Sequence, residues 1–368
     1  MTDHQALVRP NIIEMDPYKP IVPFEVLSEQ LGRPTEAIIK LDANETPYGP
    51  CPQAVDALTR IADEMPIYPD PQSRRLRERL AEYTGVDMAH ILCGAGADEL
   101  IDLTMRLFLG PGDAFVNCPP TFGMYTFDGG LVGAQEIVVD RCADFSLDID
   151  AVEGTIRETG AKIIFIASPN NPDGGVVDHA DLERLLALPL IVVMDEAYME
   201  FSHAESVAQR VPATPNLIVL RTFSKWAGLA GLRIGYGIYP LWMMDHLWKI
   251  KQPYNVNVAA DAAARASLDN LDLLLERVER IKAERDRLFT LLHTINYLTP
   301  TPSDANFILC DVSGIEAGEL KRRLAEDHGI LIRYYNKPRL ENRIRVTVGK
   351  PAHTDALIAA LRQIGEGL

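Results

Sequence analysis

The chain has 368 residues, of which 47% are hydrophobic, and a formal net charge of -16. This length predicts two domains, or one large domain with an appendage, and the acidic charge argues against nucleic acid as a partner. No apolar run approaches the roughly 18–20 residues of a membrane helix, and the N-terminus lacks a signal-peptide pattern, so we expect a cytoplasmic protein without membrane contact.

The five cysteines are scattered along the chain and show no CxxC spacing. An odd number at irregular spacing is typical of a reducing compartment and predicts neither a disulfide framework nor a zinc site. The histidines form no metal-binding motif either. We therefore expect no metal.

The N-terminal residues 1–46 are punctuated by prolines and predict an arm that packs on another part of the protein. From about Pro47, short apolar runs alternate with longer helical patterns as far as about Ala264. This alternation predicts an α/β domain with a largely parallel sheet over residues 47–264.

A Gly-rich turn in the segment CGAGADELIDLTMRLFLGPGD (93–113) opens an amphipathic helix. Leu100, Leu103 and Leu107 share one face of that helix. Backbone N–H groups at such a helix start form an anion site. The spacing matches neither the dinucleotide-binding fingerprint nor a Walker loop.

Three apolar runs are each followed by polar residues: KIIFIASPNNPDGG (162–175), LIVVMDEAYMEF (190–201) and LIVLRTFSKW (217–226). The absence of alternation in each run predicts a strand buried on both faces. Ligands of open parallel sheets bind beyond the carboxyl ends of the strands. We therefore expect Asn171, Asp195 and Lys225 to meet in one crevice.

The last part of the chain, 265–368, has a different pattern. A long helical stretch precedes three strand-like segments, with a helix between the first two and another at the end. Such an order predicts a smaller α+β domain. The segments are 271–295 (helix), 306–312 (strand), 316–326 (helix), 329–335 and 343–349 (strands) and 355–364 (helix).

A lysine, a carboxylate on a neighbouring strand end and a phosphate cradle are the parts of a pyridoxal-phosphate (PLP) site. Lys225 must be neutral to form an imine, and a desolvated position favours the neutral form. The carboxylate keeps the pyridine nitrogen protonated. The 96–98 turn, Thr222, Ser224 and Arg233 offer the amides, hydroxyls and guanidinium that bind a phosphate.

The segments SPNNPDGG, VMDEAY and TFSKWAGLAGLRIGYG resemble the signatures of the class I/II aminotransferases of PLP fold type I. Those that resemble the histidinol-phosphate aminotransferase branch are LDANETPYGP, YPDPQSRRLRERLA, GAGADELID, CPPTFGMY and RIRVTVG. The resemblance spans nearly the whole chain. It implies an α/β fold with a large domain, whose mostly parallel sheet lies between helices, and a smaller α+β domain.

The resemblance also implies a homodimer with composite active sites, an arm that packs on the small domain and the partner, and small-molecule amino donors and 2-oxo acid acceptors. Lys225 would hold PLP and move a proton, Asp195 would pair with the pyridine nitrogen, and Tyr198 would contact the phenolate oxygen. The residues implied around PLP are Ala97, Asp98, Phe122, Asn171, Asp195, Tyr198, Thr222, Ser224, Lys225, Arg233 and, from the partner, Tyr68.

The resemblance places four residues around the substrate: Tyr18, Asn44, Arg333 and Arg345. Arg345 would bind the glutamate carboxylate, while Arg333 and Tyr18 would receive the phosphate of histidinol phosphate. Phe122 would stack on the PLP ring where many relatives carry tyrosine.

Alternatives remain at this stage. Taken singly, Asp195 is a strand-end acid and Asn171 a turn former; their combination with Lys225 and Arg233 favours catalysis. The resemblance implies a histidinol-phosphate aminotransferase that uses glutamate and 2-oxoglutarate as its second substrate pair. Three other functions share this fold and cofactor. They are a decarboxylase of a phosphorylated amino acid such as threonine phosphate, an aromatic or broad-specificity aminotransferase, and a non-catalytic PLP-binding protein.

Overall fold

The computed structural model describes residues 4–17 and 23–368 and contains two β-sheets packed among helices. The strands are β1 (Ile39–Leu41), β2 (Ile91–Gly94), β3 (Ala114–Asn117), β4 (Gln135–Val138), β5 (Ile163–Ala167), β6 (Ile191–Asp195), β7 (Leu217–Thr222), β8 (Gly235–Ile238), β9 (Leu298–Pro300), β10 (Phe307–Val312), β11 (Ile330–Tyr334) and β12 (Arg343–Thr347). The helices are α1 (Pro10–Ile13), α2 (Phe24–Leu31), α3 (Pro52–Thr59), α4 (Arg74–Thr84), α5 (Ala97–Phe108), α6 (Met124–Val132), α7 (Ile149–Thr159), α8 (His179–Leu186), α9 (Leu241–Ile250), α10 (Val258–Leu268), α11 (Leu271–Leu292), α12 (Ala317–His328) and α13 (Pro351–Gly365).

The larger sheet has the strand order β2-β8-β7-β6-β5-β3-β4. All neighbours are parallel except β8, which runs antiparallel to β2 and β7. Asp195 at the end of β6 is level with Ala167 of β5 and Leu220 of β7. The predicted α/β class with a mostly parallel sheet is confirmed, and the three strand ends lie at one edge.

The three central strands are buried on both faces, as their unbroken apolar runs predict. In β5, Ile163 and Phe165 belong to the apolar cluster under α5 and α9, whereas Ile164 and Ile166 belong to the cluster on the other face. Successive side chains of a strand point to opposite faces. A strand with helices on both sides therefore needs apolar residues throughout.

The smaller sheet has the order β1-β11-β12-β10-β9 and is antiparallel apart from β1, which pairs in parallel with β11. Its strands β10 to β12 and its helices fall on the segments predicted after residue 265. The N-terminal region contacts two parts of the protein. Its strand β1 joins the smaller sheet, and Asn11 Nδ2 donates a hydrogen bond of 2.8 Å to the Gly130 carbonyl oxygen in α6. The predicted boundaries at 46 and 264 stay predictions.

No helix within residues 4–17 and 23–368 combines the length and the apolar character needed to cross a bilayer.

Candidate active site

A cavity of about 270 Å3 lies at the carboxyl ends of β5, β6 and β7, beside the N-terminus of α5. Asn171, Asp195 and Lys225 all line it, in agreement with the strand-end argument. The other predicted residues that line it are Ala97, Asp98, Phe122, Tyr198, Thr222, Ser224 and Arg233.

Lys225 follows β7 by three residues and points its amine into this cavity. Its Nζ lies 3.3 Å from the carbonyl oxygen of Ala43, to which it donates a hydrogen bond. Burial, with the nearby positive charge of Arg345 as a second cause, lowers the pKa of Lys225 to about 8. A useful fraction of the amine is therefore neutral near physiological pH, which is the form that reacts with a carbonyl.

Asp195 is the last residue of β6 and is only 4% exposed. Its Oδ2 accepts a hydrogen bond of 2.7 Å from the Tyr125 hydroxyl, and its Oδ1 accepts one of 3.1 Å from the Ala197 N–H. Burial raises the pKa of Asp195 to about 6, although both hydrogen bonds act in the opposite direction. A cationic group placed against this carboxylate would stabilise its charged form.

Sequence reasoning missed Tyr125. It lies on the first turn of α6 in the segment CPPTFGMY, and its ring contacts the Phe122 ring edge-on with centroids 5.7 Å apart. Tyr125 is the second residue of α6, whereas Phe122 precedes the helix, so no helical spacing in the sequence relates the two. Tyr125 belongs to the site through its hydrogen bond to Asp195, a contact between residues 70 positions apart.

Tyr198 and Asn171 belong to a hydrogen-bonded group that joins the two sheets. Tyr198 OH accepts a hydrogen bond of 3.0 Å from Asn44 Nδ2, and Asn44 Oδ1 accepts one of 3.0 Å from Thr347. Asn171 Oδ1 accepts a hydrogen bond of 2.6 Å from Arg345. Burial raises the pKa of Tyr198, so this phenol is a hydrogen-bond donor at neutral pH.

The start of α5 provides a site for an anion. Gly96, with φ of 84°, precedes the helix and contributes no side-chain cap, so the first N–H groups of this 12-residue helix remain for a ligand. A Cβ on Gly235, the first residue of β8, would lie 2.7 Å from the Ala97 nitrogen. Only glycine lets β8 approach the helix start this closely.

The remaining cradle residues complete this anion site. Thr222 and Ser224 hold their hydroxyl oxygens 2.9 Å apart by a hydrogen bond. Arg233 has a left-handed backbone, with φ of 54°, and pairs with Asp98 at 2.7 Å. Its guanidinium also occupies the space that a Cβ on Gly96 would fill, since the two would lie 2.6 Å apart.

These groups fit PLP. The cofactor requires an imine-forming amine, an anion for its ring nitrogen and amide or hydroxyl donors for its phosphate. Lys225 has a lowered pKa, Asp195 is a buried carboxyl that lacks a cationic partner in the described chain, and the glycines at 96 and 235 keep the cradle open.

The part of the chain described here contains no cluster of three or more side chains that could hold a metal ion.

A second cavity, of about 510 Å3, continues from the first past Ala43, Phe122 and Tyr198. Arg345 and Arg333 line it, as does Asn44. Lys225 lines both cavities, so the second cavity opens beside the same amine. Tyr18, the fourth predicted substrate residue, lies outside the described residues.

Arg345 is 4% exposed and reaches from β12 across to the larger sheet. One of its terminal nitrogens donates to Asn171, and the other donates a hydrogen bond of 2.7 Å to the Asp42 carbonyl. Its Nε is buried and finds no acceptor among the described residues. The guanidinium of Arg333 lies over the ring of Tyr335, 5.4 Å from its centre.

Tyr68 lies away from both cavities of its own chain. It is 79% exposed, and its ring stacks on Tyr254 with centroids 4.6 Å apart. Tyr68 therefore lines neither the first nor the second cavity of this chain.

Comparison with known proteins agrees with this arrangement. The family model described as aminotransferase class I and II matches residues 36–362. The chain is 53% identical to the chloroplastic histidinol-phosphate aminotransferase of Nicotiana tabacum, over 97% of this chain and 86% of that protein. It is 51% identical to the histidinol-phosphate aminotransferase of Roseiflexus castenholzii, over 98% of each.

A solved structure shows the same similarity in three dimensions. The crystal structure of histidinol-phosphate aminotransferase from Sinorhizobium meliloti in complex with pyridoxal-5'-phosphate superimposes with a TM-score of 0.89 at 30% identity, covering 98% of each chain. This likeness confirms PLP fold type I, the fold predicted from the sequence.

Proposed function

The chain belongs to the histidinol-phosphate aminotransferases, within the class I and II aminotransferases, and we propose that it transfers an amino group between histidinol phosphate and 2-oxoglutarate. The products are imidazole-acetol phosphate and glutamate, and the cofactor is PLP. The observation that carries the proposal is the continuous cavity that joins Lys225 and Asp195 to Arg345 and Arg333.

When bound, PLP supplies an electron sink for the bond that breaks at the substrate's reacting carbon. Lys225 would hold PLP covalently, and its amine, when free, would move the proton between the substrate's Cα and the C4′ atom of the cofactor. Its lowered pKa suits this role because the amine must be able to release a proton near neutral pH.

Asp195 would hold the proton on the ring nitrogen of PLP. The Tyr125 hydroxyl and the Ala197 N–H orient its carboxylate. Asn171 and Tyr198 would donate to the phenolate oxygen. The first-turn N–H groups of Ala97 and Asp98, with Thr222, Ser224 and Arg233, would bind the phosphate.

Arg345 would bind the anionic end of each amino donor. A planar guanidinium pairs with a carboxylate or a phosphate through two parallel hydrogen bonds, so one residue can serve both glutamate and histidinol phosphate. Arg333 would add a second positive charge for the phosphate, and Asn44, which lines the same cavity, would contact the substrate.

The proposal includes a homodimer in the cytoplasm. The exposed Tyr68–Tyr254 pair supports a second subunit, since Tyr68 cannot serve its own site. The five free thiols suit a reducing compartment. Mixing Lys225→Ala chains with Tyr68→Ala chains tests for a composite site. Hybrid dimers should regain activity, because one of their two sites then holds both Lys225 and Tyr68. Hybrids that are shown to form but remain inactive would contradict the composite site.

The visible absorption spectrum tests the reaction. We expect a yellow band that collapses when histidinol phosphate is added and returns with 2-oxoglutarate, whereas Lys225→Ala shows no such cycle. A yellow protein that releases carbon dioxide from threonine phosphate, or that cycles with phenylalanine but not with histidinol phosphate, would refute the substrate assignment. A protein that stays colourless with added PLP would refute the site itself.

A further inference from the structure

Behind the floor of the first cavity lies a group of charged and phenolic side chains that the reaction above does not use. It consists of Arg221, Glu196, Glu200, Tyr83 and Tyr236, and we call it the Arg221 cluster. The side chains of Arg221, Glu196 and Glu200 are 8%, 0% and 3% exposed. A cation and two carboxylates at this depth lose their hydration, so each needs partners in the protein.

Arg221 lies at the centre of the cluster. It forms ion pairs with two carboxylates: its Nε is 3.4 Å from Glu196 Oε2, and its NH2 group is 3.7 Å from Glu200 Oε1. The buried Nε of Arg221 has no hydrogen-bond acceptor among the described residues. Its NH1 group donates a hydrogen bond of 3.3 Å to the Tyr236 hydroxyl. One guanidinium therefore contacts two carboxylates from the chain after β6 and a phenol from β8.

The two carboxylates are fixed from the other side as well. Glu196 accepts hydrogen bonds of 2.6 Å from the Ser206 hydroxyl and 2.8 Å from the Val207 N–H. Glu200 accepts one of 3.2 Å from the Tyr83 hydroxyl. Each glutamate therefore has at least one hydrogen-bond partner besides the Arg221 ion pair.

The position of the cluster in the chain links it to the site. Glu196 directly follows Asp195, and Glu200 lies two residues beyond Tyr198. Arg221 directly precedes the phosphate-cradle residue Thr222. The Arg221 cluster thus holds both segments that carry reacting groups.

The backbone alone does not hold these two segments together. The β6–β7 ladder ends with the pair Asp195–Leu220 and the hydrogen bond of 2.8 Å from the Glu196 N–H to the Leu220 carbonyl. Beyond it, no backbone hydrogen bond among the described residues joins the Tyr198 segment to the Lys225 segment, although β7 stays paired with β8 as far as Thr222. On the Lys225 side, the Trp226 ring stacks on Tyr83 with centroids 5.6 Å apart and so returns to the cluster.

We propose that Arg221 is a positioning residue of the aminotransferase reaction. Through its ion pairs with Glu196 and Glu200 it fixes the strand end that carries Asp195 and Tyr198 relative to the segment that carries Lys225. The distance between the amine that moves the proton and the carboxylate that charges the ring nitrogen is thereby set from behind the cavity. The proposal rests on the proposed function for the identity of the reaction, but not for the substrate.

Arg221→Lys tests this role, and Arg77→Lys is its matched control. Arg77 is another buried arginine of the larger domain, and it donates to the carbonyls of Ile91 and Met88. Both variants keep a positive charge and lose the planar fork. The readouts are the melting temperature, the rate at which glutamate bleaches the band of bound PLP, the glutamate concentration at half-maximal rate, and the pH midpoint of that band.

We expect Arg221→Lys to slow bleaching about 10- to 100-fold, since a misplacement near 1 Å costs this much in rate. The half-saturating glutamate concentration should stay within about threefold, because Arg345 is untouched. The pH midpoint should shift by about 0.5 unit or more. Arg77→Lys should lose thermal stability only.

A purely structural role predicts that the two variants lose stability alike and keep the wild-type rate and midpoint, and this result would overturn the proposal. If Arg221→Lys does not fold, Tyr236→Phe removes a single hydrogen bond of the cluster and should still slow bleaching at near wild-type stability. An unchanged rate in that variant overturns the proposal equally. Because glutamate is the donor throughout, inactivity with histidinol phosphate would refute the proposed substrate and leave this test intact.

Discussion

Gly235→Ala tests whether the close approach of β8 to the start of α5 builds the phosphate cradle. A Cβ at this position would lie 2.7 Å from the Ala97 nitrogen, 2.8 Å from the Arg221 carbonyl oxygen and 2.8 Å from the Gly96 carbonyl carbon. Ordinary contacts of a Cβ begin near 3.4 Å. All three neighbours are backbone atoms, so no side chain can swing aside and the chain itself must move.

Two costs follow from that movement. Inserting a methyl group into a packed interior costs about 1–3 kcal/mol in the free energy of unfolding. If the strain is relieved by moving the Ala97 N–H away from the phosphate, a hydrogen bond to a charged group is lost, worth about 1.5–3 kcal/mol. We therefore expect PLP binding to weaken about 10- to 100-fold.

The assay is a titration of the PLP-free protein with PLP, followed by the quenching of tryptophan fluorescence. Gly231→Ala is the matched control, because a Cβ on Gly231 meets no atom within 4 Å and its φ is not in the left-handed region. It should bind PLP as the wild type does. Equal dissociation constants for Gly235→Ala, Gly231→Ala and wild type would refute the argument that this glycine keeps the cradle open.

Three further predictions follow from the charged groups of the site. Asp195→Asn should raise the melting temperature of the PLP-free protein at pH 7 while weakening PLP binding. A pKa of Asp195 near 6 instead of 3.8 destabilises the folded protein by about 3 kcal/mol; this cost grows between pH 4 and 6 and is complete above that range. Asparagine carries no charge and removes the cost, so a lower melting temperature of the variant would contradict this. The rate at which the PLP-free protein captures PLP should rise with pH through a midpoint near pH 8, because burial lowers the pKa of Lys225. For the same reason, the free energy of unfolding of the PLP-free protein should rise from about pH 8 to 10.5. A midpoint near pH 10.5 in stopped-flow absorbance would count against this. Arg345→Lys should raise KM for glutamate about 10- to 100-fold, because an ammonium cannot contact Asn171, Asp42 and a carboxylate in the fork geometry of a guanidinium; steady-state kinetics with an unchanged KM would remove Arg345 from the substrate site.

The sequence was sufficient for the parts of the site that follow from local pattern. Unbroken apolar runs predicted β5, β6 and β7, and the breaks after them located Asn171, Asp195 and Lys225 at one edge of the sheet. The start of α5 was recognisable from its glycines. The C-terminal helix begins at Pro351, four residues before the predicted start, because proline suits a first helical turn.

The partners of these residues could not be predicted in the same way. Tyr125 and Asp195 are 70 positions apart, and Asn44 and Tyr198 are 154 apart. Such contacts depend on how separate elements pack, which leaves no periodic trace in the sequence. The Arg221 cluster is a further example, since Arg221 follows four apolar residues of β7 and the sequence shows no sign of which carboxylates it meets.

The position of Arg345 has a thermodynamic consequence. Its guanidinium is shared between Asn171, beside the larger sheet, and the Asp42 carbonyl, next to β1 of the smaller sheet. A substrate anion bound at Arg345, as proposed, would share the guanidinium that connects the two sheets. Under that proposal, anion binding and the relative placement of the sheets would be linked equilibria, and linkage is reciprocal. If an anion displaced one hydrogen bond of Arg345, it would weaken the connection between the two sheets. The loss of that connection would then change the affinity for the anion by the same factor.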